Sequence, residues 1–344
     1  MGTICKSILL FFCVISGITA ADFYSNLNKS LFAFPRYTSL GGANLVFSGD
    51  AAPLSSPANI PLEPTNEASL AYTGFYENSF STSLASLRIN PDGKIGLGLC
   101  VGYLYIPDIE ITDGLATDTN QNPVFDPSRL DYSSSSEIFL NIALGYTFFK
   151  AKNFISSVGA SLHCQRRRLV DWTGYGIGVD VAGTMELVKA GVRFSLLLDD
   201  ITTNYIHWSS DYHDIGLPHA RMGVGWRRDI PYIYGRISVM YKTPDLFSNE
   251  GVVYNVFSEK NGSQYEPQKS SLKDEPSLLF SAGFYGAEYM IQRVVALRFG
   301  LDDTKRIFFG GGVNLFKQAL FFDFSYMVAY ELPGTYSLCM GYHW

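Results

Sequence analysis

Charge is scarce in this 344-residue chain. Asp, Glu, Lys and Arg together supply 17% of the residues, and the net charge is −6. Without a basic excess the chain lacks the electrostatic footprint of a nucleic-acid binder, so nucleic acid is excluded as a partner. Cysteine is sparse as well. Cys5 and Cys13 fall in the N-terminal leader, leaving Cys100, Cys164 and Cys339, an odd number at no metal-like spacing. These three read as buried free thiols and not as a disulfide framework. No G-x-S-x-G, H-E-x-x-H or phosphate-binding glycine loop occurs. The sequence therefore offers no catalytic residues, no enzyme class and no cofactor. Beyond the leader, no apolar run approaches the ~20 residues a transmembrane helix requires.

What the chain does have is aromatic side chains and glycine: 22 Tyr, 25 Phe and 32 Gly, with 47% of residues apolar. Low charge with that composition suits an outer surface in contact with lipid. The N-terminus has the layout of a secretory signal, with Lys6, an apolar stretch from Ile8 to Ile18, and small residues at Thr19-Ala20-Ala21. The expected organisation is a cleaved signal over 1–20, a plug segment over 21–67 and a barrel over 68–344.

The barrel expectation rests on period-two alternation of apolar with small or polar residues. Leu320, Phe322, Phe324 and Tyr326 share one face of their segment, while Asp323 and Ser325 share the other. Roughly fourteen such segments occur, each of about the ten residues that a tilted membrane strand needs. They lie near 68–77, 80–90, 95–105, 137–149, 154–165, 174–187, 189–199, 219–228, 231–242, 278–290, 293–301, 305–316, 319–330 and 335–344. The connections sharpen the reading. Even-numbered joins such as Pro91–Lys94, Lys150–Asn153 and Lys317-Gln318 are short. The long joins, near 106–136, 200–218 and 243–277, are all odd-numbered. An antiparallel barrel puts alternate turns on opposite rims, and outer-membrane barrels have tight periplasmic turns with longer external loops. A soluble sandwich has no reason to sort its loops by parity.

The two faces also differ in chemistry. Ile138, Leu140, Ile142, Leu144 and Tyr146 form one face of their segment, with Asn141 and Gly145 on the other. Hydrocarbon penalises charge, so the charged set belongs in the lumen. On this reading Asp180, Glu186, Arg193, Arg236, Glu288, Arg298 and Asp323 line the interior, where mutual pairing is the first expectation. The fold expected is all-β, a membrane-spanning antiparallel barrel in the outer membrane of a diderm bacterium. A bore of about fourteen strands is wider than side chains alone can fill. The small-residue stretch from Ser39 through Gly41, Gly42 and Asp50 to Ser56, Pro57 and Asn59 is the candidate filling, with Gly41-Gly42 permitting a sharp turn.

Several of these stretches resemble the PorV/PorQ family of outer-membrane barrels, which is related to the long-chain fatty-acid (FadL-type) transporters. The similarity is carried by Ser39-Leu40-Gly41-Gly42-Ala43, Asp50-Ala51-Ala52, Ser56-Pro57-Ala58, Gly286-Ala287-Glu288-Tyr289, Val295–Gly300, Gly310–Val313 and Phe322–Tyr326. The resemblance implies a fourteen-stranded barrel with an N-terminal segment folded inside. It departs at Ser56, where the family usually has asparagine before Pro-Ala; Asn59 follows shortly after. Three functions stay open. The first is passive transport of a hydrophobic or amphipathic small molecule, which calls for an apolar pocket walled by plug and strands. The second is a PorV-like, non-enzymatic role with secretion-system or cargo proteins at the cell surface. The third is a structural or adhesive barrel. His207, His213 and His219, with Asp211 and Asp214, sit in one join and read as a polar surface loop with no metal assigned. His163 and His343 fall on lumen faces, where a hydrogen-bonded histidine is expected.

Overall fold

The structure, a computed structural model, describes residues 31–49, 52–63, 65–111, 130–247, 252–254, 268–270, 272–273, 275–328 and 333–344. The expected signal over 1–20, and Asp50, lie outside the described residues.

Alternation becomes strand throughout. The strands are β1 (Glu67–Phe75), β2 (Phe80–Ile89), β3 (Ile95–Ile111), β4 (Asp131–Lys150), β5 (Phe154–Leu169), β6 (Trp172–Leu187) and β7 (Val192–Asp199). Next come β8 (Asn204–Trp208), β9 (His213–Gly216), β10 (His219–Ile230), β11 (Gly235–Lys242), β12 (Val252–Tyr254) and β13 (Gln268–Ser270). The series ends with β14 (Phe284–Ile291), β15 (Val295–Leu301), β16 (Ile307–Leu315), β17 (Leu320–Val328) and β18 (Thr335–His343). All pairings are antiparallel. Fourteen of the strands close into a ring, in which β18 pairs with β1 and β5 with β6. The β8–β9 hairpin extends the sheet from β6, and β12–β13 is a separate hairpin.

Closure leaves no sheet edge to be satisfied in hydrocarbon, which is why a barrel is one of two structures able to span a bilayer. The burial pattern follows the same logic. In β3 the outward residues Ile95, Leu97, Leu99, Val101, Tyr103 and Tyr105 are exposed, while the intervening residues are buried. Tyr146, Phe149, Phe316, Tyr342 and Trp344 are exposed near the short-turn rim, and Tyr103, Tyr105, Tyr175 and Tyr326 near the other. Two such girdles mark the headgroup levels of a spanning barrel. The short turns hold themselves: the Asp92 carboxylate accepts the backbone N–H groups of Ile95 and Lys94, which keeps its carboxyl below the usual carboxylate range.

Two features depart from the expected segments. Residues 278–281 form a helical turn, so β14 starts only at Phe284; the Ser277-Leu278-Leu279-Phe280 run is too local to alternate. Strands β3 to β6 are longer than expected, reaching 20 residues in β4. That is about twice the span of a bilayer, so this part of the wall stands above the membrane on the long-loop side.

The N-terminal segment runs through the ring. A five-residue helix (Pro35–Ser39) packs on β15–β18, and a 3₁₀ turn (Pro57–Leu62) packs on β3–β6. Nearly every described residue between Phe32 and Pro61 is buried or half-buried.

Candidate functional site

Glycines on the inward wall create the room for this segment. A Cβ on Gly300 would stand 2.1 Å from the Gly41 nitrogen, and one on Gly310 would stand 2.3 Å from the Ser39 Cβ. Opposite, a Cβ on Gly159 would come within 2.5 Å of the Ala58 nitrogen, and one on Gly145 within 2.4 Å of the Pro57 carbonyl oxygen. Backbone therefore lies directly on backbone at both sides of the ring. The segment turns at Gly41 and Gly42, whose φ values of +61° and +78° are left-handed.

Polar contacts then fix it in register. The Asn59 amide donates to the Leu45 carbonyl at 2.7 Å and to Ser48 Oγ at 2.8 Å, and its carbonyl accepts from Thr184 of β6 at 3.0 Å. Asn141 of β4 donates to the Pro53 carbonyl at 2.7 Å, and Ser157 of β5 to the Ala58 carbonyl at 2.7 Å. Ser56, at the position where the resemblance places an asparagine, has a buried hydroxyl without a hydrogen-bond partner among the described residues. The amide that ties the segment to the wall belongs to Asn59, three residues on.

Most of the predicted lumenal charges do converge. Arg298 bridges Glu288 at 2.8 Å and Asp323 at 2.6 Å, and Arg36 of the segment reaches Glu288 at 3.1 Å. Arg193 pairs with Glu186 at 2.7 Å, and donates to the Val46 carbonyl at 2.9 Å. Its guanidinium and that of Arg227 lie over the Phe47 ring, 5.0 and 3.9 Å from the centroid. Asp180 sits apart from these, six residues before Glu186 on the same strand, β6, toward the long-loop rim. It accepts from Ser161 at 2.9 Å and lies 3.5 Å from His163, whose other nitrogen is 2.9 Å from Asp200. Arg236 shares the inward register but lies at the short-turn mouth, paired with the exposed Asp229 at 2.7 Å, so it is not part of the lumenal network. It belongs to the strand end, where the alternation continues past the membrane.

Sequence reasoning missed Arg88, Glu67 and Arg36. Arg88 and Glu67 pair at 2.9 Å, and Arg88 also donates to the Gly49 carbonyl. Their inward parity on β1 and β2 was available as a signal. Arg36 is on the segment itself, where no periodicity points.

One sector of the lumen is apolar. Phe32 and Phe34 of the segment pack with Ala71, Leu84, Leu104, Phe139 and Phe321, and Phe32 stacks on Phe139 with centroids 5.2 Å apart. On the outer face of the same wall lies a hollow of about 970 Å³. Its outward lining is apolar, including Leu70, Leu297, Phe322, Phe324, Leu338 and Met340. It exists because Ser83, Ala85 and Gly311, which also line it, put little bulk outward. The apolar pocket that transport calls for was expected between plug and strands. Here that inner place is taken by Phe32 and Phe34, and the hollow is on the lipid side.

No protein-family model matches the chain, and no curated protein does. Among solved structures the chain is similar to the toluene transporter TbuX of Ralstonia pickettii, at 14% identity and a TM-score of 0.51, covering 91% of this chain and 98% of that one. It is likewise similar to the toluene transporter TodX of Pseudomonas putida, at 11% identity and a TM-score of 0.52, covering 89% of this chain and 96% of that one. A third is the monoaromatic hydrocarbon channel CymD, at 14% identity and a TM-score of 0.52, covering 91% of this chain and 99% of that one. What these likenesses establish is the fold: a closed, fourteen-stranded antiparallel membrane barrel, shared over nearly the whole length of both chains.

Proposed function

We propose that the chain is a passive outer-membrane transporter of hydrophobic or amphipathic small molecules, with residues 31–62 acting as its plug. The observation that carries this reading is the alignment of two apolar regions across one stretch of wall. The outer hollow lies against β1–β3 and β15–β18, and the Phe32–Phe34 cluster lies on β1–β4, β17 and β18. Between them, on β1 and β3, the wall bears the small inward residues Ala71 and Gly102 against the Phe32–Phe34 cluster. A hydrocarbon crossing here meets apolar surface on both sides. Behind the β15–β17 part of the hollow it would meet the Arg298–Asp323 ion pair, beside Gly312.

The arrangement is a closed state in which two phenylalanines occupy the solute's place. Displacing them opens the apolar sector, while the ion pairs around Arg298 and Arg193 keep the rest of the plug seated. The similar structures support this reading, since their names describe toluene transporters and a hydrocarbon channel. The secretion role implied by the PorV/PorQ resemblance draws no comparable support from them. Glu186, Arg193, Glu288, Arg298 and Asp323 act in this reading as the network that anchors the plug, through Arg36 and the Val46 carbonyl, more than as solute ligands, and Asp180 stays with its own wall partners.

The test is uptake of a small aromatic hydrocarbon at low concentration by cells with and without the protein. Cells carrying it take the solute up faster, and Phe32→Ala combined with Phe34→Ala raises the rate again. Equal rates with and without the protein overturn the proposal.

A further inference from the structure

Away from the lumen, the β8–β9 hairpin converts two loop histidines into a pair. His207 of β8 and His213 of β9 are direct cross-strand partners, and both are exposed. Their Nδ1 atoms stand 3.0 Å apart, with ring centroids separated by 4.8 Å. The Tyr205 hydroxyl lies 2.8 Å from the same Nδ1 of His213. The hairpin is firmly based: β8 pairs with β6 from Tyr205 to Trp208, and the Trp208 indole donates to Asp214 at 2.8 Å on the opposite face.

This convergence exceeds what hydrogen bonding uses. A neutral imidazole nitrogen carries either one proton or one lone pair. Nδ1 of His213 can thus make one full hydrogen bond, yet two polar atoms stand within reach of it. A shared cation removes the conflict, because both Nδ1 lone pairs then point to one centre. Two nitrogens each about 2.0–2.1 Å from an ion stand roughly 2.9–3.4 Å apart when the angle between them is about 90–110°. The observed separation falls in that window without any movement of the backbone.

We propose that His207 and His213 form a two-imidazole site for a divalent transition cation of the copper(II), nickel(II) or zinc(II) class. Imidazole nitrogens select these ions over calcium or magnesium, which prefer oxygen ligands. Water completes the coordination, and the Tyr205 hydroxyl borders it. The site is independent of transport through the lumen. It ties together the two strands of a hairpin that stands on the long-loop rim.

The test uses the full-length protein in detergent, titrated with copper(II) by calorimetry and examined by electron paramagnetic resonance. One ion binds per chain, with hyperfine structure from two imidazole nitrogens. His207→Gln and His213→Gln each weaken binding roughly tenfold or more. His343→Gln, at the other rim, leaves it unchanged. Copper binding that survives both hairpin substitutions, or no binding by the unaltered protein at ~1 mM ion, overturns the proposal.

Discussion

The N-terminal segment is held in two different ways along its length. Around Phe32 and Phe34 the contacts are apolar side chains, among them Phe139, Leu84 and Phe321. From Arg36 to Asn59 apolar packing continues, as of Leu40, Val46 and Phe47 on Met240, but ion pairs and hydrogen bonds of fixed geometry are added to it, through Glu288, Arg193, Asn141 and Thr184. The difference matters because apolar burial is non-directional, contributing about 1.5–3 kcal/mol for a fully buried large side chain. Any hydrocarbon of suitable size can replace a phenylalanine ring. Nothing from the membrane can replace Arg298 between Glu288 and Asp323. The segment therefore has an exchangeable end and a fixed middle.

Three substitutions test that contrast. Arg298→Met leaves Glu288 and Asp323 buried without their shared cation, and is expected to destabilise the barrel by about 3–5 kcal/mol. Urea unfolding in lipid vesicles, followed by tryptophan fluorescence, measures it, and added toluene gives no recovery. Phe34→Ala costs about 3 kcal/mol, because flanking residues close part of the gap. Here toluene is expected to restore part of the loss, since an apolar cavity takes up a small aromatic molecule. Recovery by toluene in both variants, or in neither, would erase the distinction. Asn59→Ala is the mildest of the three, at roughly 1–3 kcal/mol, because it takes the amide from the buried Leu45 carbonyl while the Thr184 hydroxyl keeps Ser195 as a partner. Its effect belongs to the fixed middle, so limited proteolysis should show earlier cleavage near residues 45–60 with the barrel strands still protected.

Much of the barrel was legible because a strand's side chains alternate with a period of two, and a bilayer forces that period into strong contrast. Tyr103 and Leu104 differ in exposure for no other reason. The sorting of short and long joins was legible as well, since rim identity alternates along an antiparallel ring. Lumenal residues Arg193, Glu288, Arg298 and Asp323 followed from parity alone. Their partners did not. Arg298 meets Glu288 on the neighbouring β14, but Asp323 lies two strands away on β17, and that pairing requires knowing the shear of the ring. Arg36 was illegible for a different reason: its segment has no repeating period to place it. The β8–β9 hairpin was hidden because its strands have five and four residues, too few for alternation to stand out from a polar loop.

Closure of the ring has a consequence for the order of assembly. β18 zips to β1 from Glu67–His343 to Gly74–Tyr336, and residues 31–62 are then encircled. A segment gripped on both sides by backbone-to-glycine contacts cannot be threaded afterwards through a lumen already lined by its own anchors. Seating the segment before the β1–β18 seam closes spares it from passing those anchors. The segment is in that sense shaped like a mandrel: the ring fits it on both sides, and the β1–β18 seam completes the enclosure.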